Sequence, residues 1–489
     1  MIVDAAADGP EALTDRLFDV CIAGSGPAGI TLARRLAAKG ADVVLLEGGG
    51  LDENDQSQSL YQGSIVGRPY FPLDVCRLRY FGGTSNHWGG WSRPLDAHDF
   101  EANPANPMSG WPIAKSDLDP YAAETDATLD LPGLPSKAPD IFGGTLADYV
   151  PISFRFSPPT HFGDKYRGEL TASTAITTAV NTNLVDVRLD PGDRFVNEAL
   201  FKTYGRPDAF SVRARFYVLA LGGIENARML LNANGQRPQG IGNEYDLVGR
   251  YFMEHLTFPV GAMLLRQPEY EMVIYSPSPE LMAREQILNF GLRLTPIQIQ
   301  AADDPNPVNP ACADPLSDLI AADLAGTTIW CPGRGGNVFM AAEQALNRDS
   351  RVLLVADVDP FGLRRAALDW RLSDTDFRTL DTAIIGLAAE MAKSDIGRMK
   401  IDAWFLRHSR TNPAGEHIEG GNHHMGTTRM SDDPKTGVVT RDGRLHSVEN
   451  LYLAGSSVFA SSGHANPTYT IVQLALRLGD HLTDRLKAG

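Results

Sequence analysis

The feature that most constrains this chain is a glycine-rich turn inside residues 20–47, which read as strand, turn, helix, strand and acidic residue. Gly24 allows the sharp turn, Gly26 lets a pyrophosphate approach the backbone, and Gly29 lets the helix pack closely. The helix N-terminus offers free N–H groups and the positive end of its dipole to phosphates. Glu47 closes the second strand, where a carboxylate can accept hydrogen bonds from a ribose. The segment therefore predicts a dinucleotide site, and its start near residue 18 favours FAD without excluding NAD.

The composition limits the class and the partners of the protein. At 489 residues the chain is long enough for two or three domains. A net charge of -16 argues against nucleic acid or an anionic membrane as a partner. The four cysteines, Cys21, Cys76, Cys312 and Cys331, lie far apart without a CxxC pair. This spacing predicts reduced thiols rather than a zinc site or a disulfide framework.

The N-terminal residues lack the basic start and the apolar core of a signal peptide. No segment reaches the run of roughly 18 apolar residues that a membrane span requires. We therefore expect a cytoplasmic protein that does not enter a membrane. Export beside a separate subunit that carries a signal peptide is the alternative.

The end of the chain is predicted to return to the dinucleotide-binding unit. Residues 216–221 form a strand-like run that ends at Gly222 and leads into a helix-like stretch. Residues 449–454 have the pattern of another short strand, and residues 470–485 that of a closing amphipathic helix. The nucleotide domain is therefore expected to be discontinuous, with the second domain built from insertions.

The second domain has its own pattern. Residues 250–300 alternate apolar and polar side chains, which predicts half-buried strands. Residues 301–336, rich in Asp, Pro, Ala and Gly, are predicted to form a long loop, with a mobile lid or an oligomer contact as alternatives. The predicted bounds are residues 1–100, 170–245 and 415–489 for the nucleotide domain and residues 101–169 and 246–414 for the substrate-binding domain.

Residues 81–91 form an unusual loop in which two glycine pairs flank small polar residues, a histidine and an indole. Gly82 and Gly83 allow the backbone to approach a flat ligand. Thr84 or Ser85 can donate a hydrogen bond to that ligand. The alternative is a tight loop whose tryptophan only packs.

Two polar stretches near the C-terminus contain His423, His424, His464 and Asn466. An imidazole is the natural base for an alcohol proton near neutral pH. An amide such as Asn466 can orient the same hydroxyl without competing for its proton. We expect no metal here, because the adjacent imidazoles of His423 and His424 would point apart and no further ligand supports a cage. The simpler role of a hydrogen-bonded structural residue suits His424 and His464 best.

Taken in order, residues 20–47, residues 82–91, residues 252–255 and residues 423–466 resemble the glucose-methanol-choline (GMC) oxidoreductase family almost from end to end. Within that family the chain is most similar to the branch of pyranose 2-oxidase, glycoside 3-oxidase and fructose dehydrogenase. The sign is the run Asn466-Pro467-Thr468, where the glucose oxidase branch has a second histidine. The resemblance implies an α/β fold in which a Rossmann-like FAD-binding domain joins a second α+β domain of mixed sheet and helices, both discontinuous in sequence.

The resemblance implies an FAD enzyme that oxidises an alcohol to a carbonyl. His423 matches the general base, which takes the hydroxyl proton while the hydride passes to flavin N5, and Asn466 matches its hydrogen-bonding partner. Leu184 matches a position whose backbone touches the adenine. The expected cofactor-binding set is Gly24, Gly26, Gly29, Glu47, Gly82, Gly83, Thr84, Ser85, His87, Leu184, Gly455, Ser456, Asn466 and Thr468.

The role of His87 has two interpretations. In some pyranose oxidases the His-Trp pair of this loop carries a covalent bond to the flavin, and His87-Trp88 matches that position. The preceding residue here is Asn86, whereas that motif has threonine. The alternative is that His87 packs against the flavin or forms a hydrogen bond with it.

The branch implies a sugar or glycoside substrate that is oxidised at a secondary hydroxyl to a ketone, with electrons passed to oxygen or another acceptor. Trp88, Trp91 and Trp111 could offer apolar faces to a sugar. The competing interpretations are a family member for a sterol or aliphatic alcohol, an FAD-containing hydroxynitrile lyase, and a non-catalytic FAD subunit. The sequence identifies neither the electron acceptor nor the oligomeric state.

Overall fold

The computed structural model describes residues 1–14, 16–133, 137–266, 271–296, 335–406 and 417–488. The loop predicted over residues 301–336 lies outside the described residues except for its last two, which begin a strand. Cys312 and Cys331 also lie outside them. Cys21 and Cys76 are buried free thiols.

The strands carry labels in chain order. They are β1 (Ile2–Asp4), β2 (Leu17–Ala23), β3 (Val43–Leu46), β4 (Ser64–Ile65), β5 (Trp91–Ser92), β6 (Tyr149–Ile152), β7 (Arg155–Phe156), β8 (Ile176–Val180), β9 (Asn183–Leu189), β10 (Val196–Lys202), β11 (Phe210–Leu219), β12 (Leu256–Leu265), β13 (Val273–Pro277), β14 (Phe290–Pro296), β15 (Gly335–Ala342), β16 (Arg351–Val358), β17 (Arg364–Asp369), β18 (Gly397–Ile401), β19 (Glu419–Gly420) and β20 (Leu451–Leu453).

The helices are labelled in the same way. The α-helices are α1 (Glu11–Thr14), α2 (Pro27–Ala38), α3 (Asp55–Gln58), α4 (Ala122–Thr128), α5 (Phe162–Ala172), α6 (Glu225–Asn232), α7 (Pro279–Glu285), α8 (Asp374–Lys393), α9 (Ala403–Leu406) and α10 (Thr468–Ala488). The 3-10 turns are Ser59–Tyr61, Gly83–His87, Ala97–Phe100, Lys115–Asp117, Asp119–Tyr121 and Ser456–Val458.

The first sheet has the order β1-β8-β3-β2-β11-β10-β9, with β20 beside β11. The pairs from β1 to β11 and the pair β11 with β20 are parallel, and β9, β10 and β11 form an antiparallel meander. Parallel strands are buried on both faces. Accordingly, Val20 and Ile22 face one apolar cluster while Cys21 and Ala23 face the other.

Both ends of the chain meet on the first sheet. The closing helix α10 packs along α2, and Arg35 donates two hydrogen bonds of 2.8 Å to the carboxylate of Asp480. The glycine-turn unit therefore obtains part of its cover from residues more than 400 positions away in sequence. None of the described helices combines the length and the apolar character needed to cross a membrane.

The second sheet is antiparallel, with the order β18-β12-β15-β14-β13-β6 and β19 beside β12. The alternation predicted over residues 250–300 corresponds to β12, β13 and β14. Helix α7 interrupts it, because Ser278 accepts a hydrogen bond from Leu281 N as an N-cap and Pro279 opens the first turn. The two-domain bounds stay a prediction.

The glycine turn yields a test of the fold. Gly24 has φ 105, and a Cβ there would lie 2.4 Å from the carbonyl oxygen of Ala220, which directly follows the neighbouring strand β11. Gly40 has φ 90 with nothing within 4 Å of a Cβ. We expect Gly40→Ala to lower the free energy of unfolding by about 1–2 kcal/mol, the cost of a left-handed backbone alone. Gly24→Ala should lower it further, because the strands must also separate.

Urea unfolding of the two variants and the parent protein measures this difference. Gly40→Ala is the matched control for positive φ. Equal losses in the two variants would contradict the close approach between Gly24 and the adjacent strand.

Candidate active site

One cavity of about 500 Å³ begins at the carboxyl ends of the parallel strands and extends to the antiparallel sheet. Gly24, Glu47, Ala220 and Gly455 line it, and they follow β2, β3, β11 and β20 closely. Ligands of open α/β sheets bind at this edge. The cavity therefore lies where the sequence predicts the cofactor.

The N-terminus of α2 forms the phosphate-binding part of the cavity. Gly26 is its N-cap, and no side chain caps the first turn. A Cβ built at Gly26 would meet nothing within 4 Å, so the space beside this backbone is open. Uncapped N–H groups facing open space suit a pyrophosphate.

The carboxylate of Glu47 is buried at the adjacent strand end. Its Oε2 accepts from Ser25 Oγ at 2.6 Å and from Ser25 N at 3.1 Å, and its Oε1 accepts from Gly49 N at 2.9 Å. A carboxylate has about four acceptor positions, so one is left for a ribose hydroxyl. Leu184 lines the cavity nearby, and the Oδ1 of Asn183 is buried without a partner among the described residues. These residues fit an FAD.

The loop before β5 forms a second wall. Ser85 donates its hydroxyl hydrogen to the Gly82 carbonyl oxygen at 2.7 Å, so it has no hydrogen left for a cofactor. Thr84 accepts from Leu78 N at 3.2 Å and keeps its own hydroxyl hydrogen. Of the two predicted donors, the structure therefore favours Thr84. His87 lines the cavity and is exposed to solvent.

Most of the expected cofactor-binding set lines this cavity. Gly29 and Gly82 do not, because Cβ atoms there would lie 1.9 Å from the Gly24 oxygen and 2.4 Å from the Gly163 nitrogen, behind the cavity wall. Their contribution is close backbone packing. The predicted residues on the wall are Gly24, Gly26, Glu47, Gly83, Thr84, Ser85, His87, Leu184, His423, Gly455, Ser456, Asn466 and Thr468.

The candidate base is placed by an antiparallel pairing. Met253 bridges Met425, and the same register sets His255 opposite His423, with both side chains on one face. The register of β12 with β19 differs from the register of this bridge. Asn422 lies between the two pairings and takes the left-handed conformation, with φ 60. The imidazoles of His255 and His423 consequently meet at the cavity wall.

The hydrogen bonds of this pair define its tautomers. His255 Nε2 lies 3.3 Å from the Ser462 carbonyl oxygen, which only accepts, so Nε2 carries the hydrogen. His255 Nδ1 is then an acceptor, and it lies 2.9 Å from His423 Nδ1, which must donate. His423 Nε2 is left with a lone pair, and Asn466 Nδ2 lies 3.1 Å from it. The nitrogen beside Asn466 can therefore take a proton.

Both imidazoles are held neutral at pH 7. Burial, with smaller contributions from His255 and His424, keeps the pKa of His423 well below its usual range. Burial lowers the pKa of His255 to about 4. A neutral His423 is the form that acts as a base.

A second hydrogen-bond network lies beside the base, and its member His424 also lines the cavity. Tyr70 donates to Glu254 Oε1 at 2.9 Å and accepts from His424 Nε2 at 2.9 Å. Glu254 Oε2 accepts from Gly421 N at 2.6 Å. Burial raises the pKa of Glu254 to about 8 and lowers that of His424 to about 3. This network anchors the backbone beside the base, and the two adjacent imidazoles diverge as the sequence predicts.

Sequence reasoning missed three features of the wall. His255 belongs to a quoted motif but received no role, because its partner is 168 positions away. Arg293 lines the cavity from β14, and nothing local distinguishes it from a strand arginine. His464 lines the cavity too, although its Nε2 has the expected structural bond, at 2.9 Å to Ser276 Oγ.

The tryptophans divide between the cavity and the core. Trp88 and Trp91 line the cavity. Trp111 is buried against Phe100 and Phe459 and donates to Ser461 Oγ at 2.7 Å. Trp111 is therefore a packing residue rather than a sugar-facing one.

Comparisons with known proteins bear on the family and the fold of this chain. The family model described as GMC oxidoreductase matches residues 347–475. Paromamine 6'-oxidase of Streptomyces fradiae is 26% identical over 95% of this chain and 91% of the relative. C-glycoside 3-oxidase of Microbacterium trichothecenolyticum is 27% identical over 57% of this chain and 48% of the relative.

A solved structure supports the fold. Pyridoxine 4-oxidase from Mesorbium loti superposes with a TM-score of 0.57 at 16% identity, over 95% of this chain and 99% of that one. The chain resembles the GMC oxidoreductase family, by the family model over residues 347–475 and by relatives of 24–27% identity. The resemblance and the α/β fold predicted from the sequence are thereby confirmed. The protein is an oxidoreductase that acts on CH–OH groups, and its similarity to the GMC family implies an FAD cofactor.

The tautomers of this pair give His255 a role as the acceptor that orients His423. In His255→Leu the Nδ1–H of His423 loses its acceptor, so the reactive tautomer is no longer favoured. We expect FAD reduction by substrate to slow at least about tenfold, part of the contribution of general base catalysis. In His255→Gln an amide oxygen can accept from His423, so much of the rate should return.

Stopped-flow measurement of flavin bleaching gives these rates. His161→Leu, a histidine outside the cavity, is the matched control for loss of an imidazole. If the leucine and glutamine variants are equally slow, His255 acts through packing and not as an acceptor.

Proposed function

We propose that this protein uses FAD to oxidise a secondary alcohol of a sugar or glycoside to a ketone. The observation that carries the proposal is the unprotonated Nε2 of His423, which lies beside Asn466 on the wall of the cavity that also contains the glycine turn. A base and a dinucleotide-binding turn in one cavity suit oxidation of an alcohol. FAD, when bound, supplies the acceptor for the carbinol hydride.

His423 and Asn466 have distinct tasks in this proposal. His423 Nε2 takes the hydroxyl proton, and burial keeps that nitrogen free of a proton beforehand. Asn466 Nδ2 lies 3.1 Å from His423 Nε2. When the substrate hydroxyl donates to the single lone pair of that nitrogen, Asn466 can donate to the substrate oxygen instead. An oxygen held by both groups is oriented before the reaction, which removes several kcal/mol from the barrier.

The sugar assignment has separate support. The relatives named paromamine 6'-oxidase and C-glycoside 3-oxidase act on sugar-type molecules by their names. Trp88, Trp91 and Thr257 line the cavity wall, and Thr257 Oγ1 can accept a hydrogen bond there. Electrons pass on to oxygen or another acceptor. The covalent bond between His87 and the flavin, and the cytoplasmic location, stay predictions from the sequence.

Anaerobic visible spectra of the FAD-loaded protein test the proposal. The panel is glucose, an aryl glucoside, a sterol and an aliphatic alcohol. We expect a sugar or the glucoside to bleach the flavin. Bleaching by the sterol or the aliphatic alcohol alone would overturn the substrate class and leave the redox role intact.

The base is tested by His423→Ala. Without an acceptor for the hydroxyl proton, FAD reduction should slow by about a hundredfold or more. FAD content should stay at the parent level, because the glycine turn is distant in sequence and unchanged. His161→Ala serves as the control for removal of an imidazole. A His423→Ala protein that is reduced as fast as the parent would show that His423 is not the base.

A further inference from the structure

Arg293 is a charged side chain of the cavity wall that the proposed reaction does not use. It shares one face of β14 with Gly291, and both line the cavity. A Cβ at Gly291 would lie 3.0 Å from His464 Nδ1, so this strand packs directly against a wall residue close to His255. Arg293 therefore belongs to the part of the cavity near the candidate base.

Two aromatic rings hold the Arg293 guanidinium. Its carbon lies 5.1 Å from the ring centre of Trp91 and 4.4 Å from that of Phe339. Ring faces attract a cation and fix the plane of the guanidinium, but they leave its N–H donors without acceptors. The two rings therefore orient the guanidinium of Arg293 but accept no hydrogen bond from its N–H groups.

The other described residues do not neutralise the Arg293 guanidinium either. No described carboxylate forms a salt bridge with Arg293, and its Nε is buried without a hydrogen-bond partner. Burial lowers the pKa of Arg293, and no acidic neighbour opposes that effect.

The cofactor end of the cavity shows a different arrangement. Arg77 pairs with Glu225 at 3.3 Å, and Arg228 pairs with Asp359 at 2.6 Å. A partly buried cation without a counter-charge costs free energy, which an anionic ligand would recover.

We propose that Arg293 binds an anionic group of the substrate, so that the natural substrates are acidic sugars or glycosides. This rests on the proposed function and specifies its substrate class. A guanidinium takes a carboxylate, sulfate or phosphate through two parallel N–H···O bonds, and all three groups share this chemistry. A cationic group of a sugar would be repelled by the same charge.

Isothermal titration calorimetry of the FAD-loaded protein tests the proposal. The probes are methyl glucoside, methyl glucuronide, and the 6-sulfate and 6-phosphate of methyl glucoside. At least one anionic probe should bind about tenfold or more tightly than the neutral glucoside, as a charge-assisted bidentate pair predicts. The order of the three anions identifies which group the site prefers.

Substitutions of Arg293 distinguish an effect of its charge from an effect of its packing. Arg293→Gln should lose the preference for anions and keep the affinity for methyl glucoside, whereas Arg293→Lys should keep part of the preference. Arg266→Gln, an exposed arginine paired with Asp395, is the matched control. Equal affinity of the parent for neutral and anionic probes would overturn the proposal. So would an equal loss of both affinities in Arg293→Gln.

The same samples keep this proposal distinct from the proposed function. Flavin bleaching by methyl glucoside without any anion preference would refute the role of Arg293 alone. Tight anion binding that depends on Arg293, with no bleaching by any sugar probe, would refute the sugar oxidation and leave the anion site.

Discussion

The antiparallel pairing between residues 253–257 and residues 419–425 is the interaction on which the candidate site depends. Reciprocal backbone hydrogen bonds of 3.0 Å join Met253 and Met425. Alternation along this pair directs His255 and His423 to the cavity and directs Glu254 to the opposite side, where it anchors the segment through Gly421. A slip of one residue would exchange the two faces, so the hydrogen bonds of Glu254 also protect the orientation of the base.

Burial then determines the chemistry of this pair. Desolvation disfavours the charged form of an imidazole, so the lone pair of His423 stays available. The Ser462 carbonyl selects the tautomer through His255. The site therefore obtains a neutral, oriented base from backbone geometry and solvent exclusion. Arg293 differs from the imidazoles because it is a charged group. Burial disfavours its charged form, and no described carboxylate pairs with it.

The sequence predicted the parts of the site whose signals are local. The turn at Gly24 and Gly26, the acid Glu47 and the helix N-terminus are encoded within one short segment, and the structure has them in that order. The contact between His255 and His423 depends on strand register, which no short window of sequence contains. The hydrogen bond that Ser85 donates could not be predicted either, because its acceptor is a backbone carbonyl whose position depends on the loop conformation.

The most direct test of the account is the pH dependence of flavin reduction by a saturating neutral glycoside. Burial keeps His423 neutral and holds its pKa well below the ordinary value. Because the neutral form is the base, the rate should stay level as the pH falls from about 8 through the usual histidine value near 6.5, and decline only at lower pH. A sigmoidal loss of rate centred near pH 6.5 would contradict the buried, neutral pair of imidazoles.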